Sequence, residues 1–139
     1  PMPCGIVLAL KNVVDRIARS IEYVGSLDTT ISGSRNGITP LILWHAIRTH
    51  GREGLARWVA GCLERADYAI ARFRKIGLEA WRNPHAITVV IPKPAESVLE
   101  KWQIAVHEEH GHVIVMPHIT RKKIDELVGD IAAARMEAE

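Results

Sequence analysis

Two clusters in this chain hold side chains that could do chemistry. The first is Thr29-Thr30-Ile31-Ser32-Gly33-Ser34-Arg35-Asn36-Gly37. Ser32 and Ser34 place hydroxyls on either side of a glycine that lets a ligand approach the backbone closely. Arg35 adds a forked donor suited to phosphate or carboxylate. Pro40 opens a helix just downstream, so helix N-terminal amides would lie near the same place. The plainer reading is a solvated Ser/Gly loop whose arginine bridges to a carbonyl. The second cluster is His107-Glu108-Glu109-His110-Gly111-His112, with His118 close by. Its i, i+3, i+5 spacing departs from the helical i, i+4 zinc pattern, although His110 and His112 would point the same way on a strand. A polar loop with one packed imidazole is the simpler expectation, and no metal is expected.

The elements that must position these residues follow from period and punctuation. Gly5 to Leu10 is a continuous apolar run of the kind found in buried strands. Asn12 is placed to cap a short helix through Ser20, with Val13, Val14 and Ile17 facing inward. Gly25 to Gly37 reads as one long loop. Thr39-Pro40 opens a helix that ends near His50-Gly51, and a longer one follows over 52–76, stopped by Gly77. Leu78 to Trp81 and Ala86 to Ile91 read as strands joined by the turn Asn83-Pro84-His85. Pro92 and Pro94 end the second strand, and a helix follows from Ala95 to Trp102. His112 to Met116 is a further strand. Thr120 caps a last helix with Ile124, Leu127, Val128 and Ile131 on one face, and residues from Ala132 onward are expected to fray. Residues 52–139 therefore form an αββαβα unit with its own core, after a boundary near Gly51.

Composition narrows the function classes. Apolar residues make up 47% and charged residues 24% of the 139, an ordinary globular balance. The apolar runs are too short to span a bilayer. The formal charge of +2 is spread without a basic stripe, which argues against a nucleic-acid track. Cys4 and Cys62 have no paired spacing and are expected to be free thiols in a reducing cytosol. Trp44, Trp58, Trp81 and Trp102 fall in periodic apolar segments and read as core anchors. No P-loop, nucleophile elbow or dinucleotide-binding glycine run is present. The opening Pro1-Met2-Pro3-Cys4-Gly5 reads as a rigid approach that continues from an upstream segment.

Pro1-Met2-Pro3-Cys4-Gly5, then Thr30 to Gly37, Pro40 and Leu43-Trp44, resembles the group II pyridoxal-phosphate-dependent amino-acid decarboxylases. Within them it is most similar to the bacterial histidine decarboxylases, then to the plant serine decarboxylases. Ala46-Ile47-Arg48, Leu78 to Trp81, Ile87 to Val90 and His112 to Val115 extend the likeness over the whole chain. The resemblance implies an α/β fold of the aspartate-aminotransferase type (fold type I). Residues 1–51 would end the large cofactor domain, and 52–139 would form the small C-terminal domain. It implies loss of the α-carboxylate as carbon dioxide, with the pyridine ring of the cofactor as electron sink. The family's Schiff-base lysine precedes the Pro-x-Pro-Cys-Gly run, so it would fall upstream of Pro1 and this chain alone would be inactive.

The resemblance further makes Ser32, Ser34 and Arg35 candidate cofactor contacts. It places Ala86 beside the substrate, where related enzymes commonly carry serine. It implies an amino-acid substrate, histidine before serine, together with a homodimer or homotetramer in the cytoplasm, and no nucleic-acid or membrane partner. The alternative is a non-catalytic α/β binding or dimerisation module.

Overall fold

The computed structural model describes residues 9–21, 26–28 and 36–137. The chain divides into two compact units, Pro1–Gly51 and Arg52–Glu139.

The first unit contains helix α1 (Lys11–Ile17) and the short strands β1 (Arg19–Ile21) and β2 (Ser26–Asp28). The strands pair antiparallel, with Arg19 opposite Asp28 and Ile21 opposite Ser26. The first unit departs from expectation in its helix and in its loop. Asn12 does not cap α1, which follows Leu10 with no side-chain cap bond and stops at Ile17 because Ala18 is extended. Val13 is half-exposed instead of inward-facing. Residues 26–28 also pair as a strand, where a continuous loop was expected. The strand expected over Gly5 to Leu10 lies outside the described residues except for Ala9 and Leu10, which belong to no element.

Helix α2 (Ile38–Lys75) runs through the junction as two helices, 38–50 and 52–75, separated at Gly51. With φ 59° and ψ −175°, Gly51 holds a conformation that side-chain-bearing residues avoid. Asn36 secures the start of the first helix: its Oδ1 accepts from both the backbone N–H and the hydroxyl of Thr39, each at 2.8 Å. Pro40 sits in the first turn, where its missing N–H costs nothing.

The second unit is built on helix 52–75, whose buried positions Cys62, Ala66, Ala69 and Phe73 keep helical spacing. Ala66 and Ala69 are fully buried, and such small side chains allow close approach of neighbouring elements. Gly77, at φ 75°, ends the helix. The Leu78 N–H donates to the Phe73 carbonyl and the Gly77 N–H to that of Arg74, the double closure expected of a left-handed C-cap.

Three antiparallel strands follow, β3 (Thr88–Pro92), β4 (Ala105–His107) and β5 (His110–Ile114), in the order β3-β5-β4. Val89 lies opposite Val113 and Ile91 opposite Gly111. Helices α3 (Glu96–Trp102) and α4 (Arg121–Met136) complete the unit. Phe73, Val89, Ile91, Val98, Val115, Ile124 and Ile131 meet in one core. Thr120 caps α4 by accepting from the Lys123 N–H at 3.2 Å, and Ile124, Leu127, Val128 and Ile131 form its buried face.

The observed order is αβαββα, not αββαβα. Leu78 to Trp81 makes no strand, because pairing is confined to the Trp81–Val90 bridge. Strand β4 appears where none was expected, and β5 starts two residues before His112. Residues 132–136 remain helical, and Arg135 donates to the Ile76 carbonyl at 2.9 Å.

Candidate functional site

Around Ala86 the chain forms a supported turn. The Ala86 N–H donates to the Asn83 carbonyl at 3.1 Å, and His85 sits at φ 60°, a left-handed conformation uncommon for a residue with a side chain. Arg82 braces the turn from below. Its Nε donates to Asp67 at 2.9 Å and its Nη2 pairs with the same oxygen at 2.8 Å. Its Nη1 reaches the carbonyls of Asn83 and Ala86 at 3.4 and 3.3 Å. One guanidinium thereby ties the turn to helix 52–75. An open hollow of about 520 Å³ lies alongside, lined by Asp67, Arg74, Trp81 and Pro84 among others. Arg74 is engaged as well, since its Nε and Nη2 both donate to the Ala80 carbonyl. The Asp67–Arg82 brace was not anticipated, because residues 15 apart on a helix and a turn carry no joint signal in sequence.

Ser32, Ser34 and Arg35 lie outside the described residues. Of the same run, Asn36 serves as the helix cap described above. The histidine cluster forms the β4–β5 hairpin: His107 lies opposite His110 and His112 opposite Ala105. His107 and His110 are exposed and His112 is half-buried. Among the described residues no group of three or more His, Cys, Asp or Glu side chains is arranged to hold a metal ion. Cys62 is a buried free thiol, and Cys4 is outside the described residues.

The tryptophans depart from expectation. Trp44, Trp58 and Trp81 are 58%, 46% and 44% exposed, so they are not core anchors within this chain. Trp102 alone packs against the core, its indole N–H donating to Asp130 at 2.6 Å.

Two carboxylates bind the helices of the second unit together. Asp125 on α4 accepts from the Tyr68 hydroxyl at 2.8 Å and from the Arg72 Nε at 2.6 Å. The Tyr68 hydrogen bond and the Arg72 guanidinium hold the Asp125 carboxyl below its ordinary 3.8. The same hydrogen bond pushes the Tyr68 phenol up. Asp130 is lowered by hydrogen bonds from Lys101 and Trp102. These groups are partly exposed and engaged with one another, as in a structural network.

The described residues do not build a pyridoxal-phosphate site by themselves. A Schiff-base lysine needs a desolvated amine. The described lysines, Lys11, Lys75, Lys93, Lys101, Lys122 and Lys123, are all exposed. Lys11 pairs with Asp15 and Lys101 with Asp130.

Comparison with known proteins supplies the class. About 85% of the chain superposes on L-methionine decarboxylase from Streptomyces sp. 590 in complex with 3-methylthiopropylamine, with a TM-score of 0.69 and 30% identity, covering 26% of that chain. The internal aldimine form of the same enzyme gives 0.65 at 32% identity. The α/β architecture is therefore that of part of a fold type I pyridoxal-phosphate decarboxylase.

Sequence narrows this. The chain is 46% identical over 132 residues to histidine decarboxylase of Mesorhizobium japonicum, matching 95% of this chain and 36% of that protein. It is 46% identical over 134 residues to the Morganella morganii histidine decarboxylase, matching 96% and 35%. Over nearly its whole length the chain is therefore similar to part of the pyridoxal-phosphate-dependent amino-acid decarboxylases. It spans about a third of the length of these curated relatives. No family model matches it. Among the described residues no helix is long and apolar enough to cross a membrane.

Proposed function

We propose that this chain is the C-terminal part of a pyridoxal-phosphate-dependent decarboxylase that converts L-histidine to histamine and carbon dioxide. In this reading residues 1–51 close the large cofactor domain and residues 52–139 form the small domain. The observation that carries it is the 46% identity to a histidine decarboxylase over 95% of the chain. Ser32, Ser34 and Arg35 serve as cofactor contacts. Ala86, on its braced turn, faces the substrate. The whole enzyme works as a homodimer or homotetramer in the cytoplasm. The Schiff-base lysine comes from outside this chain, consistent with the exposure of every described lysine.

A non-catalytic docking or dimerisation module is the second reading. It draws on the exposed Ile38, Leu41, Trp44 and Ile47 of helix 38–50, 48–60% accessible.

The division of labour is tested by incubating the purified chain with pyridoxal phosphate and carboxyl-labelled L-histidine. No labelled carbon dioxide should form, and borohydride reduction should leave no lysine modified beyond its neighbours. Turnover by the chain alone would overturn it.

A further inference from the structure

The β4–β5 pairing is uneven, and the unevenness creates a cavity. Strand β4 begins at Ala105, opposite His112, whereas β5 runs on to Ile114. Beside Val113 and Ile114 the chain leaves the sheet instead. Gln103, at φ 51°, takes the left-handed conformation that ends α3 and turns the backbone away. The gap lies against the first turns of α4 and encloses about 220 Å³. Its walls include Ile104, Val113, Ile114, Ile119, Ile124 and Leu127.

The polar side chains in its lining include His112, Gln103 and the exposed Lys123. The Gln103 side-chain amide already donates to the Glu100 carbonyl at 2.7 Å. The Lys123 ammonium lies 5.5 Å from the centre of the Trp102 ring. Among the described residues no carboxylate lies within ion-pair distance of it, whereas Lys101, on the same indole, is neutralised by Asp130 at 2.8 Å. An apolar hollow with one unneutralised cation at its lip is complementary to an apolar body that ends in an anion. The volume lies below the roughly 300 Å³ at which pockets for drug-sized ligands begin, which fits a single ring or a short branched chain.

We propose that this cavity is a binding site for a small apolar monocarboxylate. The body occupies the space between Ile104, Ile119 and Leu127, and the carboxylate pairs with Lys123. No bond is made or broken. The proposal is independent of the decarboxylase assignment, because every residue it uses lies within residues 102–127 of the second unit.

The test is titration of the isotope-labelled full chain with 3-phenylpropionate, followed by backbone amide shifts, with 3-phenylpropanamide and 3-phenylpropylamine as neutral and cationic counterparts. The carboxylate should saturate, and the largest shifts should fall at Ile104, Val113 and Ile114. It should bind at least about threefold more tightly than the amide, the margin a solvent-facing ion pair can give. Lys123→Gln, at an exposed position, should remove that preference and leave amide binding unchanged. Leu127→Phe should weaken all three probes by filling the cavity. If that variant loses its amide dispersion, Ile119→Phe, at another lining position, replaces it. Non-saturable shifts, equal binding of carboxylate and amide, or a preference that survives Lys123→Gln would each overturn the proposal.

Discussion

Phe73 offers a quantitative test of where the core lies. Its side chain is fully buried, and it packs among Val89, Ile91, Val115 and Ile124. Truncation to alanine removes the ring from water-free surroundings and leaves a cavity that the sheet and α4 can only partly close. Such Phe→Ala changes cost about 3–5 kcal/mol. A domain of this size has only about 5–15 kcal/mol to lose, so the variant should fold with a much reduced margin. With a urea dependence of about 2 kcal/mol per molar, the midpoint should fall by about 2 M. The assay is urea unfolding followed by far-UV circular dichroism, with the slope compared between variants to confirm that the same surface is exposed.

Val59 lies on the same helix but is 53% exposed, and serves as the control. Val59→Ala should shift the midpoint little or raise it slightly, since alanine is the better helix former. A Phe73→Ala variant within about 1 kcal/mol of the parent would refute this placement of the core. A Val59→Ala loss as large as that of Phe73→Ala would do the same.

Further outcomes follow from other contacts. Gly77→Ala, at φ 75° with open space around its Cβ, should cost about 1–2 kcal/mol in urea unfolding through backbone strain alone. Thr120→Ala should remove the α4 cap and cost about 1 kcal/mol, with Thr120→Ser largely restoring it. Asp125 and Asp130 have folded pKa values below the ordinary 3.8, so their contribution is complete above that value and is lost as pH falls through the lower folded values. Stability measured from pH 6 to pH 2 should therefore fall at the acid end, and Asp125→Asn should flatten that fall. In a chimera where this chain replaces the matching part of the Mesorhizobium japonicum histidine decarboxylase, Ala86→Ser should alter KM for histidine more than the stability of the protein, as read from steady-state rates beside a melting curve.

The sequence reveals an element best where local chemistry and burial agree. Thr120 with Ile124, Leu127, Val128 and Ile131 defines α4, and Gly77 and Gly51 stop their helices, because cap, period and left-handed glycine all point the same way. Strand β4 is hidden because Ala105, Val106 and His107 are all exposed on a sheet edge and show no alternation. Leu78 to Trp81 looks like a strand, yet only Trp81 finds a partner there. Trp44, Trp58 and Trp81 mislead for a different reason. Their apolar spacing is real, but this chain does not bury them, and spacing alone cannot tell a core from a surface that another part of the protein covers. The Asp67–Arg82 brace under Ala86 depends on tertiary contact and leaves no trace in local sequence.

The most direct test of the central claim is a chimera in which this chain replaces the matching 36% of the Mesorhizobium japonicum histidine decarboxylase. The quantity to measure is release of carbon dioxide from carboxyl-labelled L-histidine. Turnover should depend on added pyridoxal phosphate, with histidine preferred over serine and methionine. A folded, cofactor-loaded chimera that releases no carbon dioxide from any of the three would contradict it.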